Sequence, residues 1–111
     1  METLSIIDKK GPNYILMELT GSLNGYTIGE FTEKMYSYIK EQNIVLDLTA
    51  VTQIDSSAMG VIFATINDAE EYKKRVFLMN PSEASRKAFD KTGFTDEFNI
   101  IHSVTEVSDV M

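Results

Sequence analysis

The sequence predicts an α/β fold in which a central sheet of about five strands is covered by about four helices, in the order ββαβαβαβα. Three observations carry this prediction. Strand-like and helix-like segments alternate along the 111 residues. A nearly continuous, β-branched apolar run, Ile44-Val45-Leu46-Asp47-Leu48, lies mid-chain and has the character of a strand covered on both faces. Two apolar stretches near the start flank Gly11-Pro12-Asn13, a turn-forming triplet.

Those two stretches, Leu4 to Ile7 and Tyr14 to Leu19, read together as an antiparallel hairpin, and Gly21 ends the second strand. Thr27-Ile28-Gly29-Glu30 has the spacing of a capping box, and Ile28, Phe31, Met35 and Ile39 follow at helical intervals, so a first helix runs to about Glu41. The run at 44–48 leads through Ala50 to Ile54 and into an Asp55-Ser56-Ser57 turn. Met59, Ile62, Phe63 and Ile66 then form one stripe of a helix that continues to roughly Tyr72. Val76 to Met79 is a further strand. Pro81-Ser82 opens a third helix containing Ala84, Ala88 and Phe89, with Gly93 as a left-handed stop. A last strand, Phe98 to His102, precedes a Ser-x-x-Glu cap at Ser103 and Glu106.

With 43% hydrophobic and 24% charged residues, the chain fits one domain spanning 1–111. The net charge of -7, with ten basic residues scattered among seventeen acidic ones, disfavours nucleic acid and anionic membranes as partners. There is no cysteine and one histidine, His102, too few for a zinc centre, and no Asp-rich loop suits a hard cation. No metal or cofactor is expected. No segment has the length or flanks of a membrane span or leader, so the expected address is the cytoplasm.

Chemistry concentrates at Asp55-Ser56-Ser57. The serines fall between a buried strand and a helix amino terminus, where unpaired amides and the helix dipole favour negative charge. Taken alone, the tripeptide reads as a helix cap and a local turn. The helix wheel adds that Gly60, Val61 and Ala64 point outward and that no charge appears on this helix before Asp68. Such a face suits a regulatory docking surface, a second helix or a homodimer contact equally, and the oligomeric state stays open.

Ile44-Val45-Leu46-Asp47-Leu48 followed by Ile54-Asp55-Ser56-Ser57-Ala58-Met59-Gly60 resembles the signature of STAS domains, specifically the stand-alone anti-sigma factor antagonists. Leu19-Thr20-Gly21-Ser22-Leu23-Asn24 is similar to the family's strand-end element, and Ala88-Phe89-Asp90-Lys91-Thr92-Gly93-Phe94 to its third helix and stop. The resemblance implies a mixed STAS-like sheet. It also implies a non-enzymatic protein that binds an ATP-dependent partner, at once anti-sigma factor and serine kinase, and thereby frees a sigma factor. Phosphorylation of Ser56 would release the complex, a serine phosphatase would reset it, and Ser57 would serve as neighbour and helix cap. Asn24 and Ala58 stand where the family usually has aspartate and glycine, and both are expected at the partner surface with Gly60, Val61 and Ala64.

Other functions find less support. No Gly-x-Ser-x-Gly elbow surrounds Ser56, and His102 lies in an expected strand. Gly21-Ser22-Leu23-Asn24-Gly25 lacks the Lys-Ser/Thr step of a phosphate loop. The alternative that keeps the fold is a STAS subunit or module of a membrane transporter or sensory assembly, docking without phosphorylation.

Overall fold

A computed structural model describes residues 3–93, 96 and 98–110, with the side chains of 108–110 excepted. Nine elements follow the expected order: β1 (Leu4–Lys10), β2 (Tyr14–Leu23), α1 (Ile28–Tyr38), β3 (Asn43–Ile54), α2 (Ser56–Tyr72), β4 (Val76–Met79), α3 (Glu83–Lys91), β5 (Asn99–Ile101) and α4 (Thr105–Val110). The strands lie side by side in sequence order; β1 is antiparallel to β2, and every later pair is parallel. Parallel neighbours require crossovers, which α1, α2 and α3 supply.

The continuous apolar run in β3 has the physical cause expected of it, since both faces of the sheet are covered. Ile44, Leu46 and Leu48 join the larger core with Ile15, Met17 and Leu19 of β2, Phe31 and Met35 of α1, Ile62 of α2 and Phe89 of α3. Val45, Phe77 and Met79 face the other way and meet Ile101 of β5 and Val107 of α4. Each such buried side chain contributes roughly 1.5–3 kcal/mol of transfer free energy. Phe98 closes the larger core's edge, its ring centroid 4.8 Å from that of Phe89 and 5.3 Å from that of Phe63.

The hairpin forms as expected, with the Gly11 N–H donating to the Tyr14 carbonyl at 2.9 Å. Gly21, however, does not end β2. Its φ of +111° lets the chain turn under the start of β1, where a Cβ would meet the Thr3 carbonyl oxygen at 2.1 Å, and the strand continues to Leu23. Pairing between β2 and β3 slips twice, between Glu18 and Thr20 and between Gly21 and Ser22, each slip giving β3 one extra residue. At the first, Asp47 Oδ1 accepts from the Thr49 N–H at 3.0 Å and the Thr49 hydroxyl at 2.7 Å, holding the bulge. These bulges lie directly upstream of Asp55.

The capping box expected at Thr27 does not form. The Thr27 hydroxyl instead donates to the Ser22 carbonyl at 2.6 Å and accepts from the Asn24 N–H at 3.0 Å, tying the loop rather than the helix end. Helix α1 ends at Tyr38, short of Glu41, and the chain closes in a turn in which the Glu41 and Gln42 amides both donate to the Tyr38 carbonyl. Two capping expectations hold: Ser82 accepts from the Ser85 N–H at 3.1 Å, and Glu106 Oε2 accepts from the Ser103 N–H at 2.9 Å. Gly93 has the left-handed φ of +77°, while Phe94 lies outside the described residues. The last strand is shorter than expected, Asn99–Ile101 rather than 98–102. No helix among the described residues is long and apolar enough to cross a membrane.

Candidate functional site

Because β2 and β3 are parallel neighbours, with Leu23 opposite Ile54, their carboxyl ends deliver two loops to one place. Asn24 to Thr27 leads into α1, and Asp55 leads into α2. Asp55 joins them. Its Oδ1 accepts from the Ala58 N–H at 3.0 Å, its Oδ2 from the Gly25 N–H at 3.1 Å, and its own N–H donates to the Leu23 carbonyl at 3.0 Å. One carboxylate therefore caps α2 and clamps the neighbouring loop.

This corrects the expectation that Ser57 caps the helix. Asp55 has the extended backbone of an N-cap, leaving Ser56 and Ser57 as the first two helical residues. Both serines are exposed, and neither hydroxyl has a hydrogen-bond partner among the described residues. The capping role is taken by Asp55.

Asn24 is 4% exposed and acts inside the loop. Its Oδ1 accepts from the Tyr26 N–H at 2.9 Å, its carbonyl from the Thr27 and Ile28 amides, and its Nδ2 donates to Gln53 Oε1 at 3.3 Å. Ala58 is fully buried. Each shapes the surface from beneath rather than presenting itself to a partner. Tyr26, which the sequence reading did not single out, is 95% exposed on this same loop.

The outward face of α2 also differs from the expected one. Val61 is buried, along with Ala58, Met59, Ile62, Thr65 and Ala69. These residues line a stripe centred between the sheet and α1, so α2 is covered on two sides, while Phe63 and Ile66 are only half-buried. Thr65 is accommodated because its hydroxyl donates to the Val61 carbonyl at 2.8 Å. The exposed strip that remains runs from Ser57 through Gly60 to half-buried Ala64 and then Asn67 and Asp68. Gly60 and Ala64 thus keep the expected orientation and Val61 does not. A Cβ on Gly60 would meet nothing within 4 Å.

Beside the serines, a groove of about 710 Å³ separates the first turns of α2 from α3. Ile54, Met59, Phe63, Ala84 and Ala88 supply its apolar lining, while Asp55, Ser56, Lys87 and Lys91 also face it. His102 lies away from this site: it follows β5, which β4 separates from β3, and its backbone N–H donates to Glu106 at 2.6 Å. Among the described residues no group of three His, Cys, Asp or Glu side chains could hold a metal. What the arrangement offers is an exposed hydroxyl between the uncharged strip of α2 and a groove that carries Asp55, Lys87 and Lys91.

The comparisons with known proteins agree with this geometry. A model of the STAS domain matches residues 5–107. The chain belongs to the STAS domain family. Its relatives include the anti-sigma-B factor antagonist of Listeria monocytogenes, 26% identical over 96 residues, covering 85% of this chain and 84% of that one. The anti-sigma F factor antagonist of Lysinibacillus sphaericus is 26% identical over 82 residues, 71% of this chain and 70% of that one. Among solved structures, an anti-sigma factor antagonist from Mycobacterium paratuberculosis superposes with a TM-score of 0.82 at 14% identity, covering 96% of this chain and 92% of that one. The unphosphorylated form of the anti-sigma factor antagonist SpoIIAA gives 0.79 at 19% identity, covering 96% of both chains. The resemblance and the fold expected from the STAS signature are both borne out.

Proposed function

We propose that this STAS protein is an anti-sigma factor antagonist that switches partners through phosphorylation of Ser56. Unphosphorylated, it docks on an anti-sigma factor that is also an ATP-dependent serine kinase, using the Ser56–Ser57 turn, Gly60, Ala64 and the Tyr26 loop, and so frees a sigma factor. A serine phosphatase restores the docking form. The observation that carries this reading is the exposed Ser56 hydroxyl, relieved of capping by Asp55. The antagonist relatives support the same reading.

Phosphorylation adds roughly 1.5–2 negative charges near neutral pH. At the first turn of α2 the dipole tolerates them, so the fold survives, whereas a contact on the uncharged strip of α2, built around a neutral hydroxyl, loses several kcal/mol when it must bury them. A penalty of ~3 kcal/mol weakens binding about a hundredfold. Local charge thus separates the partners without unfolding either.

Co-purification identifies the partner and separates this role from service in a transporter or sensory assembly. Phosphopeptide mapping after incubation with that partner and ATP then locates the acceptor. Ser56→Ala should abolish modification and retain binding, and Ser56→Asp should weaken binding. A phosphate on Ser57 or Thr52 instead overturns the assignment.

A further inference from the structure

The groove beside Ser56 has an unusual wall. Ala84, Lys87, Ala88 and Lys91 recur on α3 at i, i+3, i+4 and i+7, and all four line the open groove, with Ala88 also packing against the edge of the core. Small residues alternate with cations, so the stripe leaves room and presents charge. In a chain of net charge -7, two lysines on the groove shared with the candidate phosphoacceptor are a local reversal of sign.

We infer that Lys87 and Lys91 form an intramolecular receiving site for the phosphate on Ser56, a deepening that rests on Ser56 being the acceptor. Ser56 lines the same 710 Å³ volume as the two ammonium-bearing side chains, so a phosphate on its Oγ enters the space they border. Lys87 is engaged by Glu83 at 3.3 Å, but both side chains are largely exposed, at 71% and 85%, and such a pair exchanges readily for a doubly charged phosphate. Lys91 has no ion-pair partner among the described residues. Asp55 is the opposing charge on the groove; both its oxygens already accept backbone N–H groups, which offset part of its field. The site has a regulatory consequence. A phosphate drawn toward α3 is held against the protein's own surface, so the modified form is a defined state in which the groove is charged and occupied.

Phosphoserine installed at position 56 by genetic code expansion tests this without a kinase, so the result is independent of whether Ser56 is the residue modified in the cell, which phosphopeptide mapping decides. The measurement is the second ionisation of that phosphate, followed by phosphorus NMR in the otherwise native chain, in Lys87→Ala/Lys91→Ala and in Lys87→Arg/Lys91→Arg. Two exposed cations should hold the native phosphate roughly half a pH unit below the double-alanine variant. The double-arginine variant should titrate like the native chain. Superimposable titrations in the native and double-alanine proteins overturn the proposal. A rise in the alanine variant that arginine does not restore overturns it equally, because charge is then not the cause.

Discussion

Gly60→Ala separates the docking role of α2 from its role in the fold. Glycine inside an exposed helix costs about 0.8–1.0 kcal/mol relative to alanine, and such a cost commonly reflects a neighbour too close for a methyl group. No neighbour is present here, since a Cβ on Gly60 has nothing within 4 Å. The substitution should therefore stabilise the isolated protein by nearly the full propensity difference. At about 2.1 cal/mol/K per residue, 111 residues give an unfolding entropy of ~0.23 kcal/mol/K, and ~0.9 kcal/mol raises Tm by about 4 °C. Binding should move the other way. A methyl group inserted into a packed contact costs about 1–3 kcal/mol, a loss of affinity for the co-purified partner of roughly fivefold to a hundredfold. Thermal melts followed by circular dichroism and calorimetric titration read the two effects on one variant. A lowered Tm means that Gly60 serves the fold; a raised Tm with unchanged affinity means that this strip of α2 is not the docking face.

Three further outcomes follow from the geometry. Asp55→Ala removes the cap of α2 and the clamp on Gly25 together and should lower stability in urea by about 1–3 kcal/mol; a change below 0.5 kcal/mol refutes the dual role. Tyr26→Ala should leave Tm nearly unchanged, because the ring is 95% exposed, yet weaken partner binding about tenfold if the ring is an interface anchor of the usual kind; unaltered affinity removes Tyr26 from the surface. Asp8 accepts from the Lys34 ammonium and from the Tyr38 hydroxyl at 2.6 Å, fastening β1 to α1. These hydrogen bonds raise both partners' pKa values above their ordinary 10.5 and 10.0. A raised folded-state pKa means that the stabilisation is complete below the unfolded value and lost as pH rises through the folded one. Stability should therefore hold at neutral pH and decline above about pH 10, and Asp8→Asn should blunt that decline in urea melts at pH 8 and pH 11.

The strands and helices were legible because their patterns answer to one local cause each. The run at 44–48 is apolar at successive positions because the sheet is covered twice, and Ser82 and Gly93 sit where capping chemistry places them. The site was legible in outline, with Ser56 and Gly60 exposed on α2. Its construction was not. Val61 was assigned to solvent because the helix wheel was centred on Met59, Ile62, Phe63 and Ile66, and no local pattern reveals that α1 packs on a second side of α2. The resemblance assigns the cap to Ser57, and local sequence offers no correction, because serine and aspartate cap equally well. Only the parallel pairing of β2 with β3, which brings the Gly25 N–H to the second oxygen of Asp55, shows why aspartate holds that position. Tyr26 and the lysines of α3 were missed for the same reason, since they join the site through tertiary contact over long sequence separation.

The two departures from the family pattern bear on this construction in different ways. Ala58 is fully buried, so its methyl group fills core space and favours the first turn of α2 by about 0.8–1.0 kcal/mol over glycine. Asn24 is the more consequential change. An aspartate there retains an acceptor for the Tyr26 N–H but has no donor for Gln53 Oε1, the partner of Asn24 Nδ2. The asparagine and Gln53 are thus matched, and the loop holds its shape without a second carboxylate beside Asp55.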